Sequence, residues 1–267
     1  MHLASSLLGS VSNFGSPQGV TKQDGWNHLL WNISFWFALP ITLLVVCLIG
    51  YALFRYRERP GKERVPAQFQ YHIPIEAAYT IIPLVVVAVI FGFMFNAENQ
   101  QSKSPTPAAG NVLKITVDGF QWGWRFVYPN GHAEVGTADY TNINSNSDLP
   151  VLYLPANEPV QLHLVSLDVV HTFYVKDFLY NRDLIPGVDN NVNFTVKTPG
   201  IYQGQCNNIC GEYHAYMRFL VQVMPADQYN QWYANQPACS VTTAGVSGPP
   251  APGTCDSQLS KGFQAGL

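Results

Sequence analysis

Between Leu29 and Phe54 the chain runs for 26 residues without a charged side chain. Such a stretch leaves little choice of structure. Away from water every backbone N–H and C=O must be paired within the protein, which a helix achieves alone and an open strand does not. The run is long enough to cross a hydrocarbon core of ~30 Å with some tilt. Trp26, Trp31 and Trp36 stand at its front end, where amphipathic rings favour the membrane boundary. A second apolar stretch, Ile73 to Phe95, spans 23 residues and is charged at Glu76 alone. Pro40 and Pro83 fall inside these runs and are tolerated where packed protein re-satisfies the freed carbonyls. Charged residues make up 12% of the 267, about half the usual share, as two spans would require.

Charge then sets the orientation. Arg55, Arg57, Arg59, Lys62 and Arg64 place five of the fourteen basic residues within ten positions between the spans. Positive loops stay cytoplasmic, so both termini are expected on the outer face. No Lys or Arg precedes Lys22 and no Cys precedes Cys47, which gives little support to a cleaved leader or a lipidated amino-terminal cysteine. No basic patch with interleaved aromatics occurs, which argues against nucleic acid as a partner. The expected division is an extracytoplasmic segment 1–28, a helical hairpin 29–95 with its cytoplasmic loop 55–72, a linker 96–110, a β domain 111–225, and a helix with a flexible tail 226–267.

Beyond the polar Pro/Ala/Gly stretch Ser102 to Gly110 the signal is β. Val112–Val117 alternates and Gln121–Phe126 is aromatic-rich. Val151–Leu154, Val160–Val165, Thr172–Val175, Val192–Val196, Ile201–Gln203 and Phe219–Met224 are separated by turn residues. Short strands at this spacing predict an all-β Greek-key sandwich, followed by a short helix at Ala226–Asn235.

One loop carries the chemistry. Within Gln203-Gly-Gln-Cys-Asn-Asn-Ile-Cys-Gly-Glu-Tyr-His-Ala-Tyr-Met217, two thiols, an imidazole and a thioether occur at the spacing C-x3-C-x3-H-x2-M. Sulfur with imidazole selects copper or zinc, and a thioether favours copper. A blue-copper site takes one Cys, two His and a weak axial Met. The extra Cys here allows two coppers bridged by two thiolates. A Cys206–Cys210 disulfide or a zinc site are the competing readings, and His214 and Met217 in register count against both.

A second imidazole must come from elsewhere. His132 lies in a Pro-Asn-Gly-His turn, an exposed position. His163 alternates with Leu162 and Leu164 and faces solvent or fills a polar gap. His171 follows Asp168-Val-Val at a strand junction that can reach the loop, and is the choice. Asp168 either orients the site or caps a turn. Trp122 and Trp124, two apart, are expected on one strand face. Glu76 marks an ion or proton path or reaches back to the interface. Cys47 lies in an apolar run, and Cys239 and Cys255 sit in a Gly/Pro-rich tail, where an oxidising compartment permits a disulfide. The absence of C-x-x-C-H excludes a covalently attached c-type haem on this chain.

Two spans with outer termini, a sandwich and this loop closely resemble subunit II of haem-copper cytochrome c oxidases, over roughly residues 26–235. Glu76-Ala-Ala-Tyr-Thr-Ile-Ile-Pro83, Gln121-Trp-Gly-Trp124, Asp168-Val-Val-His171, Ile185-Pro-Gly187 and Cys206 to Met217 occur in family order. The resemblance implies a cupredoxin-like domain holding a dinuclear copper centre of the CuA type. Cys206 and Cys210 would bridge the metals. His171 and Met217 would complete one copper, and His214 with the backbone carbonyl of Asn208 the other. Trp122 matches the tryptophan through which the family accepts electrons, and Glu76 the acid near the mouth of the K proton channel. Quinol-oxidising relatives lack the copper ligands, so the donor implied is cytochrome c or a membrane-bound c-type cytochrome.

Oxygen reduction and proton translocation would belong to a complex with a haem-bearing subunit I and other oxidase subunits, set in the lipid of a bacterial cell membrane. Many members carry Glu where this chain has Asn208, and that carboxylate also holds magnesium, so a magnesium site is doubtful. The competing functions are the copper-bearing small subunit of a nitric oxide reductase, a membrane-tethered copper chaperone, and a zinc-stapled structural domain. Chaperones with C-x3-C usually carry Pro after the second Cys and an α/β pattern, whereas this chain has Gly211 and a β run.

Overall fold

A computed structural model describes residues 18–57, 61, 68–101, 112–137, 140, 142–146 and 149–236. The described chain forms a helical unit from residue 26 to 101 and a β unit that also takes in residues 18–25.

The helical unit holds α1, Asp24–Arg55, which begins in the segment grouped with the β unit, and α2, Ile73–Gln101. At 1.5 Å per residue, α1 is about 48 Å long. Asp24 in its first turn and Arg55 in its last both complement the helix dipole. Leu43, Leu44, Val46 and Leu48 on α1, and Ile82, Leu84, Val85 and Val87 on α2, are exposed. Both helices are long and apolar enough to cross a membrane. They outrun the expected bounds: α1 starts five residues before position 29, and α2 continues six residues past 95. Asn96–Gln101 is polar, but Ala, Glu and Gln are good helix formers, so loss of hydrophobicity does not end the helix. The expected linker 96–110 is corrected accordingly; its remainder, 102–110, lies outside the described residues. So do Arg59, Lys62, Arg64, Cys239, Cys255 and the tail after 236.

The β unit is a sandwich of two five-stranded sheets. In chain order the strands are β1 Leu113–Phe120, β2 Gly123–Val127, β3 Ala133–Thr137, β4 Val151–Pro155, β5 Pro159–Ser166, β6 His171–Val175, β7 Tyr180–Leu184, β8 Asn190–Thr195, β9 Gly200–Gln205 and β10 Arg218–Met224. One sheet runs β3-β2-β1-β5-β8 and the other β4-β10-β9-β6-β7. The pairs β1·β5 and β4·β10 are parallel, and the remaining neighbours are antiparallel. Alternation decides the faces: Val160, Leu162 and Leu164 of β5 and Phe219, Val221 and Val223 of β10 turn into a core shared with Trp124, Phe126 and Phe173. The short helix α3, Ala226–Ala234, packs Trp232 on Tyr153 with ring centroids 4.4 Å apart.

Four expectations change. β3 and β7 leave no clear mark in the sequence, since Ala-Glu-Val-Gly-Thr is short with only small or polar residues around Val135 and Tyr-Asn-Arg-Asp-Leu lacks an apolar alternation. Both form sheet edges, where polar side chains discourage unwanted pairing. β1 runs on to Phe120, so Gln121 and Trp122 form the turn to β2 rather than its first residues. Trp122 therefore does not share a strand face with Trp124: the first lies partly buried in the turn, the second wholly buried in the core. His132 is not exposed. Its side chain is 12% accessible, its Nε2 lies 2.9 Å from Glu134 Oε1, and its ring lies beside Trp232 of α3.

Candidate metal centre

The loop joining β9 to β10 is closed at its base. Arg218 pairs with Gln205, and the Cys206 N–H donates to the Met217 carbonyl at 2.9 Å. Gly211 adopts φ +131°, a conformation that favours glycine. A 3-10 turn, His214–Tyr216, then swings the imidazole of His214 back over the loop.

His171 opens β6 opposite Leu184, with its side chain fully buried. Gly119 leaves room for it: a Cβ there would meet His171 atoms at 3.2 and 3.3 Å. Asp168, three residues earlier, takes the ring's Nε2 at 2.7 Å, so Nδ1 is the nitrogen presented to the loop. Asp168 thus orients the imidazole while also accepting the N–H of Val169 as a turn acid does.

Six expected donors come together. Cys206 Sγ lies 3.8 Å from Cys210 Sγ, 3.9 Å from His171 Nδ1 and 3.2 Å from the Asn208 carbonyl oxygen. Cys210 Sγ lies 3.6 Å from His214 Nδ1 and 3.7 Å from Met217 Sδ. The thiols are free, and their separation is far beyond the ~2.05 Å of a disulfide. Both cysteines, His171 and Met217 are buried. Each thiol thus has its own imidazole, one also has a thioether, and the two face each other. His163 stays out of the cluster, paired with Asp189 at 3.0 Å at the surface, as expected. His132 belongs to the α3 contact. Glu76 belongs to the helical unit, where its carboxylate accepts the His72 N–H at 2.7 Å and His72 Nδ1 accepts the Ile75 N–H at 3.4 Å.

The cluster polarises its own members. A hydrogen bond from Cys210 chiefly, then His171 and backbone groups, holds the Cys206 thiol well below its ordinary range despite burial. The proximity of Cys206 and burial push Cys210 up. Burial opposes the charge on His171, but Asp168 and Cys206 more than offset it and raise its pKa. Burial likewise opposes the charge on Asp168, yet bonds from His171, Gln121 and Val169 hold it below the usual carboxylate value. A partly buried, electron-rich set of two sulfurs, two imidazoles, a thioether and a carbonyl fits a soft cation, and the thioether selects copper over zinc.

Three contacts were not legible in the sequence. The Gln121 side chain donates to the Cys210 carbonyl at 2.6 Å, across 89 residues. The Trp124 indole donates to the Met217 carbonyl at 3.3 Å, across 93. Tyr140 donates to the Trp122 carbonyl at 2.8 Å. Backbone carbonyls as acceptors leave no mark in residue type, so spacing has no signal for them.

The family profile for the periplasmic domain of cytochrome c oxidase subunit II matches residues 113–224. A probable cytochrome c oxidase subunit 2 of Streptomyces avermitilis is 33% identical over 251 residues, covering 81% of this chain and 77% of that protein. A cytochrome c oxidase subunit 2 of Corynebacterium diphtheriae is 28% identical over 286 residues, covering 84% and 76%. The crystal structure of the periplasmic domain of subunit II of cytochrome oxidase from Bradyrhizobium japonicum is 25% identical at a TM-score of 0.44, covering 50% of this chain and 96% of that one. With a third of its residues shared over most of both chains, the protein belongs to the cytochrome c oxidase subunit 2 family.

Proposed function

We propose that the chain is the electron-accepting subunit of an aerobic terminal oxidase, taking electrons from cytochrome c or a membrane-bound c-type cytochrome and passing them to the haem of a partner subunit I. The observation that carries this is the pair of unjoined thiols 3.8 Å apart, each with its own imidazole nitrogen within 3.9 Å. Cys206, Cys210, His171, His214, Met217 and the Asn208 carbonyl would hold two coppers. When bound, such a pair would supply a one-electron couple.

The chain's own residues do the rest. Burial of the two thiols, His171 and Met217 keeps water from the donor atoms. Asp168 fixes which imidazole nitrogen faces the sulfurs, the kind of outer support that tunes a metal ligand. Trp122 lies partly exposed against the loop, edge-on to Tyr213 at 5.0 Å, and is the chain's aromatic contact for a donor. From Glu98 onward the sequence holds thirteen acids and eight bases, net −5, a field that would steer a basic donor and weaken with salt. The two apolar helices would anchor the chain in the cell membrane with the basic loop inside and both termini outside. Glu76 would serve the mouth of a proton path in the assembled complex. Asn208 contributes its carbonyl only, and magnesium has no part in this proposal.

The test is metal stoichiometry and spectroscopy of the full chain purified in detergent. Two coppers per chain, a purple colour and a seven-line copper resonance are expected. Met217→Leu keeps the side-chain volume, so it should cost less than about 1.5 kcal/mol of stability while altering that spectrum. One copper, retained zinc, or indifference to Met217→Leu contradicts the proposal.

A further inference from the structure

The β1–β2 turn does more than present Trp122. Its first residue, Gln121, touches both halves of the centre. The backbone N–H of Gln121 donates to Asp168 Oδ2 at 2.7 Å, and the other oxygen of that carboxylate holds the His171 ring. The side chain of Gln121 donates to the Cys210 carbonyl at 2.6 Å. One residue thereby joins the β6 corner that supplies His171 to the loop that supplies the thiols.

A second observation shows that the turn and the loop are built to meet. A Cβ at Gly211 would lie 2.9 Å from Trp122 Cζ2 and 3.0 Å from Gln121 Nε2. The residue after Cys210 must therefore be bare for the turn to sit where it does. Trp122 itself contributes no hydrogen bond from its indole: Nε1 is buried and unpartnered among the described residues. Its position is set through its neighbours instead. The Tyr140 hydroxyl donates to its carbonyl, Tyr213 packs edge-on against its ring, and Gln121 holds the turn from below.

We infer that Gln121 is a positioning residue that locks the Trp122 turn to the metal loop at Cys210 and to the Asp168–His171 pair, so that the indole and the donor atoms keep one fixed relation. This rests on the reading given under Proposed function. Its physical content is that removing the amide donor from the Cys210 carbonyl frees the loop to shift against the turn, while no metal-donor atom is lost.

The experiment uses the full chain in detergent and, beside it, the assembled oxidase carrying Gln121→Leu or Gln121→Glu. Leu removes the donor at similar size, and Glu places an acceptor against the carbonyl. In metal-free chain, alkylation of Cys206 and Cys210 by iodoacetamide should quicken about tenfold, since thiol access follows local opening and supports around a metal site commonly act on the 10- to 100-fold scale. In copper-loaded chain of unchanged metal content, the resonance spectrum should shift. In the oxidase, reduction by the protein donor should slow about tenfold while reduction by a small chemical reductant stays within about twofold. If Leu prevents folding, the isosteric Glu variant carries the same three readouts. Wild-type alkylation rate, spectrum and donor rate in both variants overturn the inference. A wild-type chain that takes up no copper overturns the reading of the site instead, and the alkylation rates then decide on Gln121 alone.

Discussion

At the scale of single residues, the Asp168–His171 pair ties the candidate centre to pH. In metal-free chain His171 is held above its ordinary value. Its contribution to stability is complete below the unfolded imidazole value of about 6.5 and fades as pH rises through the folded value. Asp168 is held below its ordinary value, so it contributes above the unfolded carboxylate value of about 3.9 and fades as pH falls through the folded one. The pair therefore stabilises from about pH 4 to somewhat above pH 6.5. Asp168→Asn should lower the melting temperature of metal-free chain most within that window and least at pH 9. A loss equal at pH 6 and pH 9 contradicts the assignment. Four donor positions, Cys206, Cys210, His214 and Met217, could be read from the sequence because they fall within a dozen residues and differ in type from ordinary core, whereas the Asn208 carbonyl came only with the family resemblance. His171 required choosing among three histidines, and only the fold explains the choice: β6 starts at the sandwich end where the loop lies. Gln121 gave no signal, since its partner is a carbonyl that any residue would have supplied.

At the scale of elements, the hairpin β9–β10 holds the loop open at the right width. Gly204 of β9 packs directly against the ring of Phe219 on the paired strand, and an added Cβ would run into that ring. Gly204→Ala should destabilise the chain by roughly 1–3 kcal/mol, the usual range for overpacking a core. Denaturant midpoints measure it, and an unchanged midpoint would show that Phe219 has room to move. Strands such as β5 and β10 were legible because alternate residues are buried along their length. Edge strands β3 and β7 were not, because an edge is made of residues that look like loop. The ends of α1 and α2 were misjudged for a related reason: hydrophobicity marks what lipid would cover, whereas helix propensity and capping decide where the helix stops.

At the scale of the whole molecule, the two apolar helices and the basic cluster between them argue for a fixed orientation. Trypsin added outside sealed spheroplasts should spare Arg55 to Arg64, whereas inverted vesicles should be cut there. Peptide masses decide, and cleavage from outside would reverse the proposed topology. The division into a helical and a β unit was readable from composition alone, since one part lacks charge and the other alternates.

The place of β10 in its sheet has a further consequence. It is the last strand among the described residues, yet it lies between β4 and β9 and pairs with both. During translation β4 leaves the ribosome long before its neighbour exists. A nascent chain halted within the loop carries every cysteine of the centre but leaves β4 without its β10 neighbour and β9 unpaired on one side. Such open edges recruit other strands, so an interrupted copy becomes a substrate for chaperones and proteases rather than a half-working subunit.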